Sequence, residues 1–353
     1  MEISKNEFGV YQGQTVLQYN LINDHGMRLS VMNYGATLNR IEVPDRHGER
    51  ASIVLGYDQF DHYLNQDAYF GATVGRVAGR IAKGSFSIDG HDYQLPLNNG
   101  ENTNHGGPQS FESQIWNSWV FINDDHIGVK FDLLSPDGTN GFPGNLKATV
   151  TYSLNNENQW RLHYEATTDK PTLFNPTNHV YFNLSGDFTK KIEDHILTIN
   201  SHQFGEIRQD GLPTGELIDV HGTPFDFTHG APIKKGIYSD YPQNKLVDGY
   251  DHPFLLDMNE KPSAVLEDPT SGRRVTMTTT NNAVVVYTGN GFSSDMTMVG
   301  KPMQPHQGVT LEAQMMPDAI HHQGFGNIIL RPGKKYQADT VYHFDDANDI
   351  QCK

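Results

Sequence analysis

The chain has 353 residues, a formal net charge of −16 and a single cysteine. That acidic balance excludes a nucleic-acid partner, which demands a basic patch, and an anionic membrane surface. Cys352 stands alone beside the C-terminus, so no intrachain disulfide and no Cys-based metal site can form, and Cys352 is too peripheral for a nucleophile. No apolar run approaches the roughly 20 residues of a membrane span. The opening Met-Glu-Ile-Ser-Lys-Asn-Glu has no signal-peptide character, and a soluble cytoplasmic protein is expected.

Strand and turn signals recur along the chain, and helical ones are scarce. Residues 28–32 and 52–55 read as strands. Gly71-Ala-Thr-Val-Gly-Arg-Val-Ala-Gly-Arg80 follows, punctuated by glycine but without a Gly-x-Gly-x-x-Gly run, and reads most simply as a turn with surface arginines. Phe86 and Ile88 pair by pattern with Tyr93 and Leu95 across Asp89-Gly90, a dipeptide favoured in tight hairpins. Asn104-His-Gly-Gly-Pro108 sets a histidine against two glycines, which suits either a close-approaching ligand or an ordinary turn.

Further strands are read at 129–134, 146–154, 160–166, 195–199, 264–266, 275–279 and 283–287, separated by clusters such as Ser135-Pro-Asp-Gly-Thr-Asn-Gly-Phe-Pro-Gly144. In 160–166, Trp160, Leu162, Tyr164 and Ala166 alternate with Arg161, His163 and Glu165, which places the first set inward. Residues 205–244 are irregular, which a long functional loop explains as well as a domain boundary does. Asp251 precedes His252-Pro253 and reads as a turn carboxylate or a ligand. The pattern predicts an all-β fold, a large antiparallel β-sandwich, forming a single domain over 1–353.

Two strand-like segments carry proton-transfer groups. In 308–317, Val309, Leu311, Ala313 and Met315 alternate with Thr310, Glu312 and Gln314, so a glutamate sits mid-strand between hydrogen-bonding neighbours. In 175–184, Val180, Phe182 and Leu184 share one face, and His179, Tyr181 and Asn183 the other. Held on strands, Glu312 and His179 form a plausible base and acid. No His-Glu-x-x-His, Gly-x-Ser-x-Gly or other ligand or nucleophile spacing occurs, and no metal is expected. Carboxylates, histidine, amides and aromatics on a β-scaffold suit a hydroxyl-rich, uncharged ligand, with a sugar the natural candidate.

These residues carry a resemblance. Thr73-Val-Gly-Arg-Val-Ala-Gly-Arg-Ile81, Asn104-His-Gly-Gly107, Asp137-Gly-Thr-Asn-Gly-Phe-Pro-Gly144, Asn175-Pro-Thr-Asn-His179, Asp251-His-Pro-Phe254, Tyr287-Thr-Gly-Asn290, Leu311-Glu-Ala-Gln314 and Leu330-Arg-Pro-Gly333 together resemble the aldose 1-epimerases, or galactose mutarotases. The resemblance runs from about residue 8 to 344. It implies a mutarotase-like supersandwich that interconverts the α and β anomers of free aldoses without a cofactor. It implies Glu312 as base and His179 as acid, with Arg80, His105 and Asp251 binding the sugar. Many relatives carry Asn where Gly79 stands, so a ring contact made there is lost or replaced. An unperturbed imidazole is only about one-quarter protonated at pH 7, so His179 needs tuning to act as an acid, which a nearby carboxylate or a hydrogen bond to the imidazolium would supply.

Three alternatives share these residues. A glycoside hydrolase would use Glu312 with Asp251 as its carboxylate pair. A non-catalytic sugar-binding protein would need only the cleft, and an epimerase of the reducing end of a disaccharide such as maltose would need every catalytic residue. The sequence leaves the oligomeric state open.

Overall fold

The computed structural model describes residues 1–64, 68–108 and 110–346, so Cys352 lies outside the described residues. Its largest element is a nine-stranded antiparallel sheet. In spatial order its strands are Asn117–Ile122, His126–Ser135, Leu146–Asn155, Gln159–Thr168, Tyr336–Asp346, Arg273–Thr279, Ala264–Glu267, Ile196–Ile199 and Ala231–Pro232. Two five-stranded antiparallel sheets accompany it. One is the N-terminal meander Glu2–Tyr11, Gln14–Ile22, Arg28–Met32, Thr37–Pro44 and Arg50–Ser52. The other runs Pro213–Asp219, Gln203–Ile207, Asp251–Leu255, Ala283–Tyr287 and Glu312–Gln314.

The alternation read in the sequence explains how these sheets face one another. Trp160, Leu162, Tyr164 and Ala166 are all buried, whereas Arg161, His163 and Glu165 face outward. Trp160 stacks on Tyr342 of the neighbouring strand at 4.5 Å between ring centroids and on Tyr152 at 6.0 Å. This wall meets the N-terminal meander through Phe131 and Tyr19, 6.1 Å apart. It meets the third sheet's end through the Tyr342 hydroxyl, which donates to the Leu311 carbonyl at 3.0 Å. One buried apolar cluster joins Leu29, Val31 and Ile41 of the meander, Val129 and Leu162 of the large sheet, and Phe254, Val284 and Val286 of the third. The expected sandwich is therefore present, with its second layer divided between two sheets.

The Asp89-Gly90 hairpin forms with Phe86 opposite Tyr93 as read, but Ile88 lies opposite His91 and Leu95 falls beyond the pairing; both turn residues are in the left-handed region at φ 53° and 78°. The 205–244 reading needs correction. This stretch supplies the Gln203–Ile207 and Pro213–Asp219 hairpin and two short helices, Lys234–Ile237 and Pro242–Val247. Gly205 hides the strand signal: it passes so near Pro253 that a Cβ there would stand 2.9 Å from the Pro253 ring.

The arginine-bearing turn is also not a surface feature. Arg76 is buried, and its guanidinium donates to the carbonyls of Ser135, Pro136, Pro143 and Gly144 and to the hydroxyls of Ser135 and Thr172 at 2.9–3.2 Å. Arg76 thus explains the Ser135–Gly144 cluster: five donors in one plane gather a loop whose carbonyls would otherwise be buried unpaired. Replacing Arg76 by Met should lower unfolding stability by about 3 kcal/mol or more, because several acceptors lose their donors at once. Urea unfolding of the two proteins checks this, and an unchanged midpoint would mean that the loop closes without Arg76.

Candidate active site

The third sheet presents one face to a cavity of about 780 Å³. Because side chains alternate, Asp251 and Pro253, Val285 and Tyr287, and Glu312 and Gln314 all line that cavity, while Phe254, Val284, Val286 and Ala313 point into the core. Pairing fixes their grid. Asp251 lies opposite Tyr287, Val285 opposite Glu312, and Ala283 opposite Gln314.

Glu312 was expected on the polar face of a continuous, half-buried strand. Instead the strand breaks at Leu311, between Val309–Thr310, which pairs with Tyr181–Phe182, and Glu312–Gln314, which pairs with Ala283–Tyr287. Every residue from Val309 to Gln314 is buried, because the polar face meets cavity walls rather than bulk water. Thr310 shapes the carboxylate's surroundings. Its hydroxyl accepts from the Tyr287 amide at 3.1 Å and donates to Glu312 Oε1 at 3.0 Å.

His179 arrives through the motif around it. The Asn175 side chain both accepts from the Met315 amide and donates to the Met315 carbonyl, at 2.9 and 3.1 Å. The Thr177 hydroxyl donates to the Ala313 carbonyl at 3.1 Å. Asn175 and Thr177 therefore stitch the His179 segment along the strand that carries Glu312. His179 itself lies between the short pairings Thr177–Asn178 and Tyr181–Phe182, not within a continuous strand. Its backbone is pinned at both ends, with its amide donating to Ala72 and its carbonyl accepting from Gly71. The result is Nε2 of His179 3.4 Å from Oε1 of Glu312.

The three residues expected to bind sugar surround this pair. His105, at φ 50°, exchanges two contacts with Gly79: its amide donates to the Gly79 carbonyl at 3.0 Å, and the Gly79 amide donates to its Nδ1 at 3.3 Å. Nδ1 is thus an acceptor, which leaves the imidazole proton on Nε2. The His105 ring lies 5.3 Å from that of His179. Arg80 donates through Nε to Asn99 at 2.9 Å and stands 3.9 Å from Asp251 across the cavity. The cavity therefore brings together Glu312, His179, Arg80, His105 and Asp251.

Sequence reasoning gave no hint of the support behind Asp251. The Asp251 amide donates to Nδ1 of His252, and His252 Nε2 contacts Gln243 Oε1, each at 3.1 Å. Gln243 is locked by the Ile207 backbone, whose amide it accepts and whose carbonyl it donates to. Its oxygen is fixed as an acceptor, so His252 carries its proton on Nε2. Gln243 sits in the stretch read as loop, where nothing in the sequence marked it. Tyr69 and Tyr181 were also missed as walls, with ring centroids 5.8 and 5.0 Å from that of His179.

Burial sets the electrostatics. It pushes the Glu312 carboxyl up to about 8, with the Thr310 hydrogen bond opposing and the Asp251 charge assisting. It pushes His179 down to about 4. The upward tuning that an acid needs is thus not supplied in the free cavity: loss of water outweighs the one backbone hydrogen bond that raises His179. Burial also raises Asp251, with Arg80 opposing, and holds His105 well below its ordinary value. Between about pH 4 and 8 the His179–Glu312 pair accordingly holds one proton.

The chain is similar to known proteins over nearly its whole length. An aldose 1-epimerase family model matches residues 17–343. Galactose mutarotase of Bos taurus is 38% identical over 338 residues, covering 94% of this chain and 95% of the bovine one. Aldose 1-epimerase of Escherichia coli (strain K12) is 36% identical, covering 94% and 96%. The crystal structure of galactose 1-epimerase from Lactobacillus acidophilus NCFM superposes with a TM-score of 0.89 at 33% identity, covering 98% of this chain and 99% of that one. The chain belongs to the aldose 1-epimerase family. It is an isomerase acting on free sugars, which sets aside the hydrolytic and purely binding readings.

The raised Glu312 pKa has a measurable consequence for stability. The folded chain keeps this proton up to about pH 8, whereas the unfolded carboxyl loses it near its ordinary value. Stability from this group is thus present at low pH and lost as pH rises toward 8. Glu312→Gln removes that loss, so its Tm should exceed that of the parent by more at pH 8 than at pH 5. An equal difference at both values would mean that Glu312 is not held protonated.

Proposed function

We propose that this isomerase converts α- and β-galactose, and glucose, through their open-chain aldehydes, with Glu312 as base and His179 as acid. The observation that carries this reading is the 3.4 Å approach of a buried histidine to a buried carboxyl in a cavity otherwise furnished for hydroxyls. Galactose is favoured because the mutarotase relatives are named for it. A cytoplasmic location belongs to the same reading and rests on composition. No helix among the described residues is long and apolar enough to cross a membrane.

The chemistry balances within the pair. Ionised Glu312 takes the proton of the C1 hydroxyl, the O1 electron pair forms the carbonyl, the C1–O5 bond breaks, and protonated His179 supplies the proton to O5. Rotation about C1–C2 presents the other carbonyl face. Ring closure then returns each proton. Opening the ring leaves neutral His179 and protonated Glu312, which is the arrangement that burial favours in the free cavity. To begin, the proton must therefore pass from Glu312 to His179 as sugar binds. The distance is short, and the net charge of the cavity does not change. Sugar hydroxyls donating to Glu312 favour its ionised form. Arg80, His105 and Asp251 hold the ring so that C1 stays beside the pair.

The same pKa order supports a second reading, with the roles exchanged: protonated Glu312 donates to O5 while neutral His179 takes the O1 proton. A crystal structure of Glu312→Gln with galactose separates the two. The first requires residue 312 beside O1, and the second requires it beside O5.

Catalytic amounts of protein should speed the rotation change of fresh α-D-galactose to an unchanged end point, as polarimetry reads directly. Glu312→Gln should lose about 10²–10⁴-fold in kcat, and His179→Asn should also fall. A Glu312→Gln protein of near-normal turnover removes Glu312 from the chemistry.

The pH profile follows from the shared proton. Below about pH 4 both groups are protonated and no base remains; above about pH 8 both are deprotonated and no acid remains. A bell bounded by these limbs is expected for kcat/KM, and a flat profile across pH 8 contradicts it. Asp251→Asn should raise KM for galactose and leave measurable turnover, because the carboxylate holds hydroxyls rather than moving protons. Unchanged kinetic constants in the folded variant would remove Asp251 from sugar binding.

A further inference from the structure

One polar side chain on the cavity floor takes no part in this chemistry. Gln314 lies two residues from Glu312 on the same cavity-facing side of the strand. It is 1% exposed, yet its amide oxygen has no hydrogen-bond partner among the described residues. Its amide nitrogen lies 3.9 Å from where a Cβ on Gly79 would stand, beside the Gly79–His105 contacts. A buried amide oxygen without a partner is costly. The neighbouring polar side chains on this face, Glu312 with Thr310 and Asp251 with Arg80, have partners or counter-charges.

We infer that Gln314 is a specificity-determining sugar ligand that binds the hydroxyl next to the anomeric carbon, at C2. This rests on the reaction proposed above, which places C1 beside Glu312. The sheet grid supplies the direction. Asp251 sits in the Tyr287 row, Glu312 in the Val285 row and Gln314 in the Ala283 row, so Asp251 and Gln314 flank Glu312 from opposite sides. Successive same-face residues are roughly 6.6 Å apart along a strand, about the width of a pyranose ring. With Arg80 and Asp251 holding the far side of the ring, the hydroxyls within reach of Gln314 are those flanking C1. Glu312 and His179 serve O1 and O5, which leaves O2. The terminal torsion of a glutamine is broad and roughly two-fold, so the amide can turn its oxygen toward an arriving hydroxyl and present its nitrogen as a donor. Gly79 keeps this approach open: a side chain there would sit at φ 72° and stand 3.1 Å from Pro317.

The test is Gln314→Met, which keeps the length of the side chain and removes the amide. kcat/KM is measured for galactose, 2-deoxygalactose and 6-deoxygalactose with parent and variant. The expected result is a loss of about tenfold or more on galactose and 6-deoxygalactose, with 2-deoxygalactose changed less than about twofold, because the contact is already missing there. An equal loss on all three sugars, no loss on any, or a loss spared only for the 6-deoxy sugar overturns the inference. Should Gln314→Met not fold, Gln314→Leu carries the same comparison, since it too removes the amide. A parent protein inert toward all three sugars overturns the reaction itself, which separates that failure from a failure of the Gln314 assignment alone.

Discussion

The structure depends on a carboxyl and an imidazole, both buried, held within 3.4 Å of each other at the wall of a cavity. Neither group is comfortable there as an ion. A carboxylate and an imidazolium each lose hydration on burial, so the cavity favours the two neutral forms and lets one proton serve both. That sharing suits a reaction that must give and take a proton at adjacent oxygens and end with nothing consumed. Two of the polar groups nearest the pair are already engaged. The Thr310 hydroxyl is spent on Glu312, and Arg80 faces Asp251, so the field at the pair is set before sugar arrives.

Holding two such groups together requires support from several directions. The stack of Tyr152, Trp160 and Tyr342 fixes the large sheet, and the Tyr342 hydroxyl reaches the Leu311 carbonyl next to Glu312. On the other side, Asn175 and Thr177 bind Met315 and Ala313, so the His179 segment has little freedom to slide along the Glu312 strand. Arg76 then anchors the start of the segment that ends in Arg80. The geometry of this pair is a property of side chain to backbone bonds between short strands, since pairings of two or three residues cannot fix a register alone.

The sequence carried the fold class and the two central groups. Period-2 alternation placed Trp160, Leu162 and Tyr164 inside and set Glu312 opposite to Leu311 and Ala313, as found. What was not legible shares one cause: it depends on contacts distant in sequence. Alternation cannot say whether a polar face meets water or another wall, so the complete burial of 309–314 was hidden, and with it the direction in which Glu312 and His179 shift. Gly205 and the following turn glycines masked a hairpin that helps to form the cavity. Arg76 looked like a surface residue because its acceptors lie about 60 to 100 residues onward. Gln243 and His252 act on Asp251 through a relay that no local pattern announces.

The shared proton is the claim on which the rest stands, and infrared spectroscopy reads it directly. A difference spectrum between the parent protein and Glu312→Gln at pH 7, without sugar, isolates the state of this one carboxyl. The account predicts the C=O stretch of a protonated carboxylic acid, fading as pH is raised through about 8. Carboxylate bands for Glu312 at pH 7, with no protonated form, would contradict it.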